Sequence, residues 1–409
     1  MKHLFTLLAL TVGFSMNGQL GSVTENGNTG QRLQTSNASN HGNIGSNAVD
    51  LSYSAGSSTT RGATGNYSTA MGFNITASGL YSTAMGSNIT ASGLYSTAMG
   101  NDTRAFGTGS TAIGVNTEAS GNFSISMGSQ ATASGDYSTT MGINTEASGE
   151  SSTAMGYSTT ASGGVSTAMG YGTTASGSRS TAMGNDTEAS GNNSTAMGNF
   201  TEASGNNSTA MGISTTASGN NSTVMGDNTT ASDYGSLVIG QFNLSGATVT
   251  NSATQFNTAN TAFVIGNGAD GSSQSDAFSV LFSGETVIGS DLEVKGNVLI
   301  SSDARLKANI VSLGSTLAKL LLIDGKRYTM KKDGKQNIGV LAQDIQKVFP
   351  ELVSTDDKEM LAVNYQGLVP VLINALKEQD AKMKEQDAKM KEQEKRLERL
   401  EAIISKIER

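Results

Sequence analysis

The 409-residue chain has no cysteine and no tryptophan, and only two prolines and two histidines. Without cysteine there is no disulfide framework and no thiolate nucleophile. His41 is the one histidine beyond the N-terminus, so zinc sites and histidine acid–base chemistry lack raw material. Positive charge is scarce in residues 1–300, which hold six of the 26 Lys+Arg against 17 of the 34 Asp+Glu. No basic stripe with interleaved aromatics exists there, which excludes a nucleic-acid groove. Beyond the N-terminus no apolar run is long enough to cross a membrane as a helix. Residues 301–409 invert the balance, with 20 Lys+Arg, 17 acids, both prolines and five of the 50 glycines. Two polymers of different character meet near residue 301.

What is present begins with Met1-Lys2-His3 and the apolar run Leu4–Phe14, followed by small and polar residues. This is the layout of a secretory signal over 1–18, so the protein is expected to be secreted or held at the cell surface. Residues 19–60 are polar with few apolar anchors and read as a weakly ordered lead-in. From about 61 a fourteen-residue grid takes over. Met71, Met85, Met99, Met127, Met141, Met155, Met169, Met183, Met197, Met211 and Met225 occupy it, with Ile113 and Ile239 in the gaps. Such a period defines a repeat architecture.

Fourteen residues fit one rung of a β-solenoid, with two strands of about five residues and two tight turns. Along Ser68-Thr69-Ala70-Met71-Gly72, Thr69 and Met71 face one way and Ser68, Ala70 and Gly72 the other. Gly72 and Gly79 suit turns that need positive φ or a close backbone approach. One large apolar side chain per rung cannot fill a wide monomeric core, so a Met/Ile column shared among several chains is expected. Stacking about thirteen rungs at roughly 4.8 Å each predicts a rod of about 60 Å. Glu118, Glu146, Glu188 and Glu202 share a grid position but skip many rungs, which reads as a solvated face rather than a metal ladder. No metal or cofactor is expected.

The unit, Tyr/Asn-Ser-Thr-Ala-Met-Gly followed by Thr-x-Ala-Ser-Gly, resembles the head repeats of trimeric autotransporter adhesins (YadA-like heads) over 61–240. That resemblance implies a mostly β protein, a trimeric left-handed parallel β-roll used as an adhesive surface head. Its partners would be further copies of itself and a host-surface or matrix ligand or glycan. The family's membrane β-barrel anchor has no counterpart in the alternating pattern here. Residues 241–300 lose the grid but keep short β-rich runs at Thr261–Gly266, Ala277–Phe282, Thr286–Gly289, Leu292–Val294 and Val298–Ile300, and read as a connector.

From Ser302 the pattern is mixed α/β. Helices are expected at Leu313–Leu322 and Ala342–Phe349, a strand at Lys326–Met330 and a buried strand at Ile338–Leu341. Val363–Tyr365 is extended, and a last helix starts at Leu368 with Pro370 in its first turn. A serine and a lysine five apart, Ser302 and Lys307, suggest a cut made by the chain itself. A serine hydroxyl is a weak nucleophile until a neighbour takes its proton, and with no histidine at hand a lysine must do so. It can when burial or a nearby cation such as Arg305 lowers its pKa. On a regular helix residues five apart do not share a face. Either Ser302 precedes the helix or the lysine acts across a subunit boundary. The bland alternative is a Ser302/Asp303 cap with solvated Arg305 and Lys307.

Three segments, Ser302–Ile310, Asn337–Asp344 and Val363–Tyr365 with Leu368–Leu376, resemble the endosialidase-type intramolecular chaperone, a self-cleaving serine peptidase domain of tail spikes and secreted fibres. The resemblance spans 301–409. It implies that this α/β domain trimerises the fibre, assists its folding and cuts itself off by a Ser–Lys dyad. The catalytic pair would be Ser302 and Lys307, the scissile bond Ser301–Ser302, and the supporting residues Asp303, Arg305 and Asn309. A coiled coil is expected over 372–409. Leu376, Met383, Met390, Leu397 and Ile404 hold one heptad position, and Gln379, Gln386, Gln393, Leu400 and Ile407 the other. The rival reading is a trimeric adhesin in which 301–409 stays attached as an uncleaved base. A glycosidase spike is disfavoured, because no carboxylate pair stands out from the grid.

Overall fold

In the computed structural model, residues 20–331, 334–356 and 359–407 are described. The expected signal at 1–18 lies outside them. The chain divides into two compact units, one ending at Glu293 and one beginning at Val294.

The first unit is a parallel β-solenoid. Each rung adds a five-residue strand to one sheet and a two-residue strand to a second, as in Thr69–Phe73 and Thr76–Ala77. Rungs stack in register, Met71 beside Met85 and Met85 beside Met99, with Ala77 beside Ala91. The second strand is shorter than the sequence suggests. The amides of Ser78 and Gly79 both donate to the Ala91 carbonyl, at 3.0 and 3.2 Å, and this shared acceptor bends the chain out of the ladder. The corner glycines divide the work expected of them. Gly72 has φ +119°, and a Cβ on either Gly72 or Gly79 would overlap the carbonyl oxygen of Gly86 or Gly93 one rung on. Small residues are required there because backbone meets backbone.

The interior is lined by alanine. Ala70, Ala77, Ala84, Ala91 and their equivalents from both sheets are fully buried, with Val224, Val238 and Val264 at the C-terminal end. The Thr and Met side chains of the five-residue strands point outward, so the Met/Ile column lies outside the single-chain core and Met71, Met85 and Met141 are exposed. Strand alternation dictates this placement.

The stretch before residue 61 is ordered, contrary to the expectation from its composition. Leu20–Glu25 pairs antiparallel with Asn28–Leu33, Arg32 pairs in parallel with Asp50, and Val49–Tyr53 pairs in parallel with Thr69–Phe73. A buried ionic cluster replaces the missing apolar anchors. Arg32 bonds Glu25 at 2.8 and 3.2 Å, Asp50 at 3.3 Å and the Gly42 carbonyl at 2.9 Å. His41 Nδ1 sits 3.1 Å from Asp50 Oδ2, bonded when that nitrogen carries the proton. Ser52 donates to Asp50 from both its amide and its hydroxyl. Paired in this way, buried charges hold a fold that hydropathy does not signal.

The grid also continues past 240. Val238-Ile239-Gly240 lie beside Val264-Ile265-Gly266, so Thr261–Asn267 is another rung behind a looped-out insertion. Asp276–Leu281 then pairs antiparallel with it, and Thr286–Ile288 antiparallel with that strand. Leu292–Val294 and Val298–Ile300 form no strand.

The second unit is mixed. Its helices are α1 (Leu317–Leu320), α2 (Ala342–Val348) and the 40-residue α3 (Leu368–Ile407). Two hairpins accompany them, Lys326–Thr329 with Gln336–Gly339 and Val353–Thr355 with Leu361–Val363. The expected helix over Leu313–Leu322 is a single turn, preceded by Gly314 at φ +66°. Ile338, expected to be buried, is 78 % exposed on its two-stranded hairpin. Ile345, Phe349 and Val371 form the core.

Candidate functional site

The boundary serine sits in an extended stretch just before a single 3₁₀ turn, Ala304–Leu306. Asp303 caps this turn in extended conformation, its carboxylate accepting from the Arg305 amide at 2.8 Å. The Lys307 amide closes the turn on the Ala304 carbonyl at 3.1 Å, and Lys307 itself is extended again. A 3₁₀ turn takes three residues per revolution, and with an extended residue at each end it returns the chain to the same side. Lys307 Nζ therefore donates to Ser302 Oγ at 2.7 Å within one chain. Of the two geometries open to the pair, this is the one in which Ser302 precedes the helix.

Arg305 is differently occupied from what its position suggests. Its guanidinium grips the Asp303 carboxylate through Nε at 3.1 and 3.2 Å and through NH2 at 2.7 Å. The Arg305 side chain holds Asp303 below the usual carboxylate range, helped by the Arg305 amide, and Asp303 raises Arg305 in turn. The Arg305 charge is thus taken up by Asp303. Ser302, Asp303, Arg305, Lys307 and Asn309 are all exposed, Asn309 with φ +52°. Leu306, Ile310 and Val311, and Leu299 before them, are exposed as well, Leu299 to 90 %.

Elsewhere in this unit, Glu378 of α3 reaches the start of α1. Its carboxylate accepts from the Ser315 hydroxyl at 2.7 Å, from the Thr316 amide and from the Leu317 amide at 3.3 Å. The Ser315 bond, with the backbone bonds, holds Glu378 below its ordinary pKa. Thr316 Oγ1 donates to the Val371 carbonyl at 3.0 Å. The sequence gives no signal for Glu378, because its partners lie about sixty positions away. The heptad residues Leu376, Met383, Met390, Leu397, Leu400, Ile404 and Ile407 are all exposed along α3.

Among the described residues, no helix is long and apolar enough to cross a membrane. No group of three or more His, Asp or Glu residues among them is placed to hold a metal ion.

Comparison with known families places two of them on this geometry. Residues 302–354 match the family described as the chaperone of endosialidase, a match that starts at the serine and ends short of α3. The YadA head domain repeat matches nine segments running from residue 63 to residue 243. No curated protein matches the chain.

Proposed function

We propose that this chain, which carries an endosialidase chaperone domain behind YadA head repeats, is an exported homotrimeric fibre that assembles from its C-terminal end and then sheds that end. Head repeats of this type imply a surface or exported protein, and both families are typically trimeric. With Thr261–Asn267 as its last rung the head runs from 61 to 267, and 301–409 is the chaperone, with its coil over 372–409. Nearly identical rungs can slip by one repeat at little cost, so a clamp that fixes three chains in step before they stack solves a real problem. The half-exposed Met/Ile column and the α3 seam are the apolar surfaces such a trimer would cover.

The observation that carries the cleavage reading is the 2.7 Å contact between Lys307 Nζ and Ser302 Oγ. Neutral Lys307 takes the hydroxyl proton as Ser302 Oγ attacks the Ser301 carbonyl carbon. The C–N bond of Ser301–Ser302 breaks, its nitrogen takes up the proton, and an ester links Ser301 to the Ser302 side chain. Water hydrolyses that ester, leaving a Ser301 carboxylate and a free Ser302 amine. Covalent proximity replaces substrate binding. In the single chain the pair is exposed and Arg305 is engaged with Asp303, so a neighbouring copy is what would cover it.

Wild type and Ser302→Ala, run on a denaturing gel, are expected to give two bands and one. A single full-length wild-type band removes the peptidase reading and leaves the rival, a trimeric adhesin with 301–409 as its permanent base. That rival draws on the solvent exposure of the pair in the single chain.

A further inference from the structure

One corner of the solenoid carries a feature that stacking of the rungs does not require. Tyr67, Tyr81 and Tyr95 lie on successive rungs with ring centroids 4.9 and 5.1 Å apart and planes within 14° and 7°. Phe123 and Tyr137 continue the row two rungs on, stacked at 5.5 Å. All five rings are between 45 % and 58 % exposed. Between the two groups Gly109 holds the same position, and the Phe123 ring lies over it, so near that a Cβ on Gly109 would meet the ring at 2.7 Å.

Three observations bear on this row, and a shorter stack, Tyr157 on Tyr171 at 5.1 Å, stands elsewhere on the solenoid. The row is local: the Met/Ile column recurs on every rung, whereas this corner is Ser151, Val165 and Arg179 further along, then Asn193, Asn207 and Asn221. Those asparagines bond in a ladder of their own, 193 to 207 at 3.0 Å and 207 to 221 at 3.1 Å. A contact between copies running the length of the solenoid needs a continuous column, which the methionines supply and the rings do not. The row is also held against backbone preference, since the five aromatics sit at φ +55° to +59°. Asparagine occupies that left-handed region more readily and does so at 193, 207 and 221. Finally, the row is uncharged. Its neighbours on the same corner are Asn66, Leu80, Leu94, Thr108, Asn122 and, beside Tyr137, Asp136, whose carboxylate accepts from the Asn122 amide at 2.8 Å.

We infer that the corner from Tyr67 to Phe123 is a binding ridge for an extended, uncharged β-linked polysaccharide. Exposed apolar patches with polar rims mark interaction sites. A pyranose presents C–H groups to an aromatic face and hydroxyls to phenol and amide groups, the mixture this corner displays. The rung spacing of about 4.8 Å is close to the rise per sugar in an extended β-linked chain, so ligand and ridge stay in step. A phosphate-bearing or otherwise acidic polymer would find no cation here. The inference rests on the reading of 61–240 as a surface head and names what that head holds.

The test uses the full-length chain in affinity gel electrophoresis through soluble β-1,4-glucan (hydroxyethylcellulose) and β-1,4-xylan, with alginate as the acidic comparison. Wild type should be retarded by at least one of the neutral polymers and not by alginate. Tyr81→Ser, and independently Tyr95→Ser, should each weaken binding at least tenfold. Asn207→Ser should leave it unchanged. Circular dichroism and sedimentation are recorded for every variant. No retardation of the wild type in either neutral polymer overturns the inference, whatever the protein's oligomeric state and cleavage, which test the broader reading separately. A Tyr81→Ser protein whose sedimentation changes also overturns it, because the ridge is then a contact between copies. Equal loss in Asn207→Ser overturns it as well.

Discussion

The solenoid and the C-terminal unit use their apolar residues in opposite ways. In the solenoid every interior alanine is fully buried by the same chain, and each rung's backbone bonds the next. Beyond Val294, Leu299, Val311 and Ile338 stand almost bare, and a 40-residue helix buries only Val371 and Ala375. The first region buries its own interior; the second leaves most of its apolar residues bare. A parallel stack gains one neighbour per rung from its own sequence, whereas a heptad seam gains nothing until another helix arrives.

The sharpest way to break this contrast is at a corner glycine. Gly72→Ala places a Cβ against the Gly86 carbonyl at a left-handed backbone. It is expected to destabilise the solenoid by more than about 4 kcal/mol, read from denaturant unfolding followed by β-sheet circular dichroism. An unchanged midpoint would mean that the rungs are looser than they look.

Next comes the seam. Leu397→Ala with Leu400→Ala should cost about 2–5 kcal/mol per site if the leucines are buried between copies, and shift sedimentation toward a single chain. At sites that stay exposed the same change is worth no more than about 0.5 kcal/mol, so the two accounts are well separated.

The ionic cluster at the N-terminal end should follow. Burial alone would raise the Asp50 pKa, but the bonds from His41 and Ser52 more than reverse this and leave it below its ordinary value. Its contribution is therefore complete above the ordinary carboxylate range and is lost as pH falls through the lower, folded-state value. Asp50→Asn should destabilise this end by about 3 kcal/mol at neutral pH and remove that acid sensitivity, both seen in hydrogen exchange over 20–60.

Glu378 behaves with the same sign. As pH drops below its lowered pKa, the contacts to Ser315 and Leu317 should loosen and exchange at α1 should quicken. The smallest effect belongs to the exposed helix pair Asp380–Lys384, where Lys384→Ala should leave the unfolding midpoint within error.

The repeat was legible because its period is strict: methionines fourteen apart fix the rungs, the register and which side chains turn outward. Its limits were not. The rung at Thr261–Asn267 hides behind an insertion that composition cannot distinguish from a connector. The order of residues 20–60 depends on Arg32 meeting Asp50, a contact between strands that no local pattern announces. In the second unit, the Ser302–Lys307 pair could be named from the sequence. Its geometry could not, since it depends on the short turn capped by Asp303 rather than on a helix. Ile338 shows the same limit from the other side: an apolar residue in a strand pattern looks buried until the sheet proves to have only two strands.

Both ends of the parallel stack finish with a reversal of strand direction, Leu20–Glu25 at one end and Asp276–Leu281 at the other. A bare parallel rung would present a template on which the next molecule's first rung could grow, as at the tip of a fibril. With each end closed by antiparallel pairing, and the outermost strand at the C-terminal end, Thr286–Ile288, only three residues long, end-on accretion finds no full rung to copy.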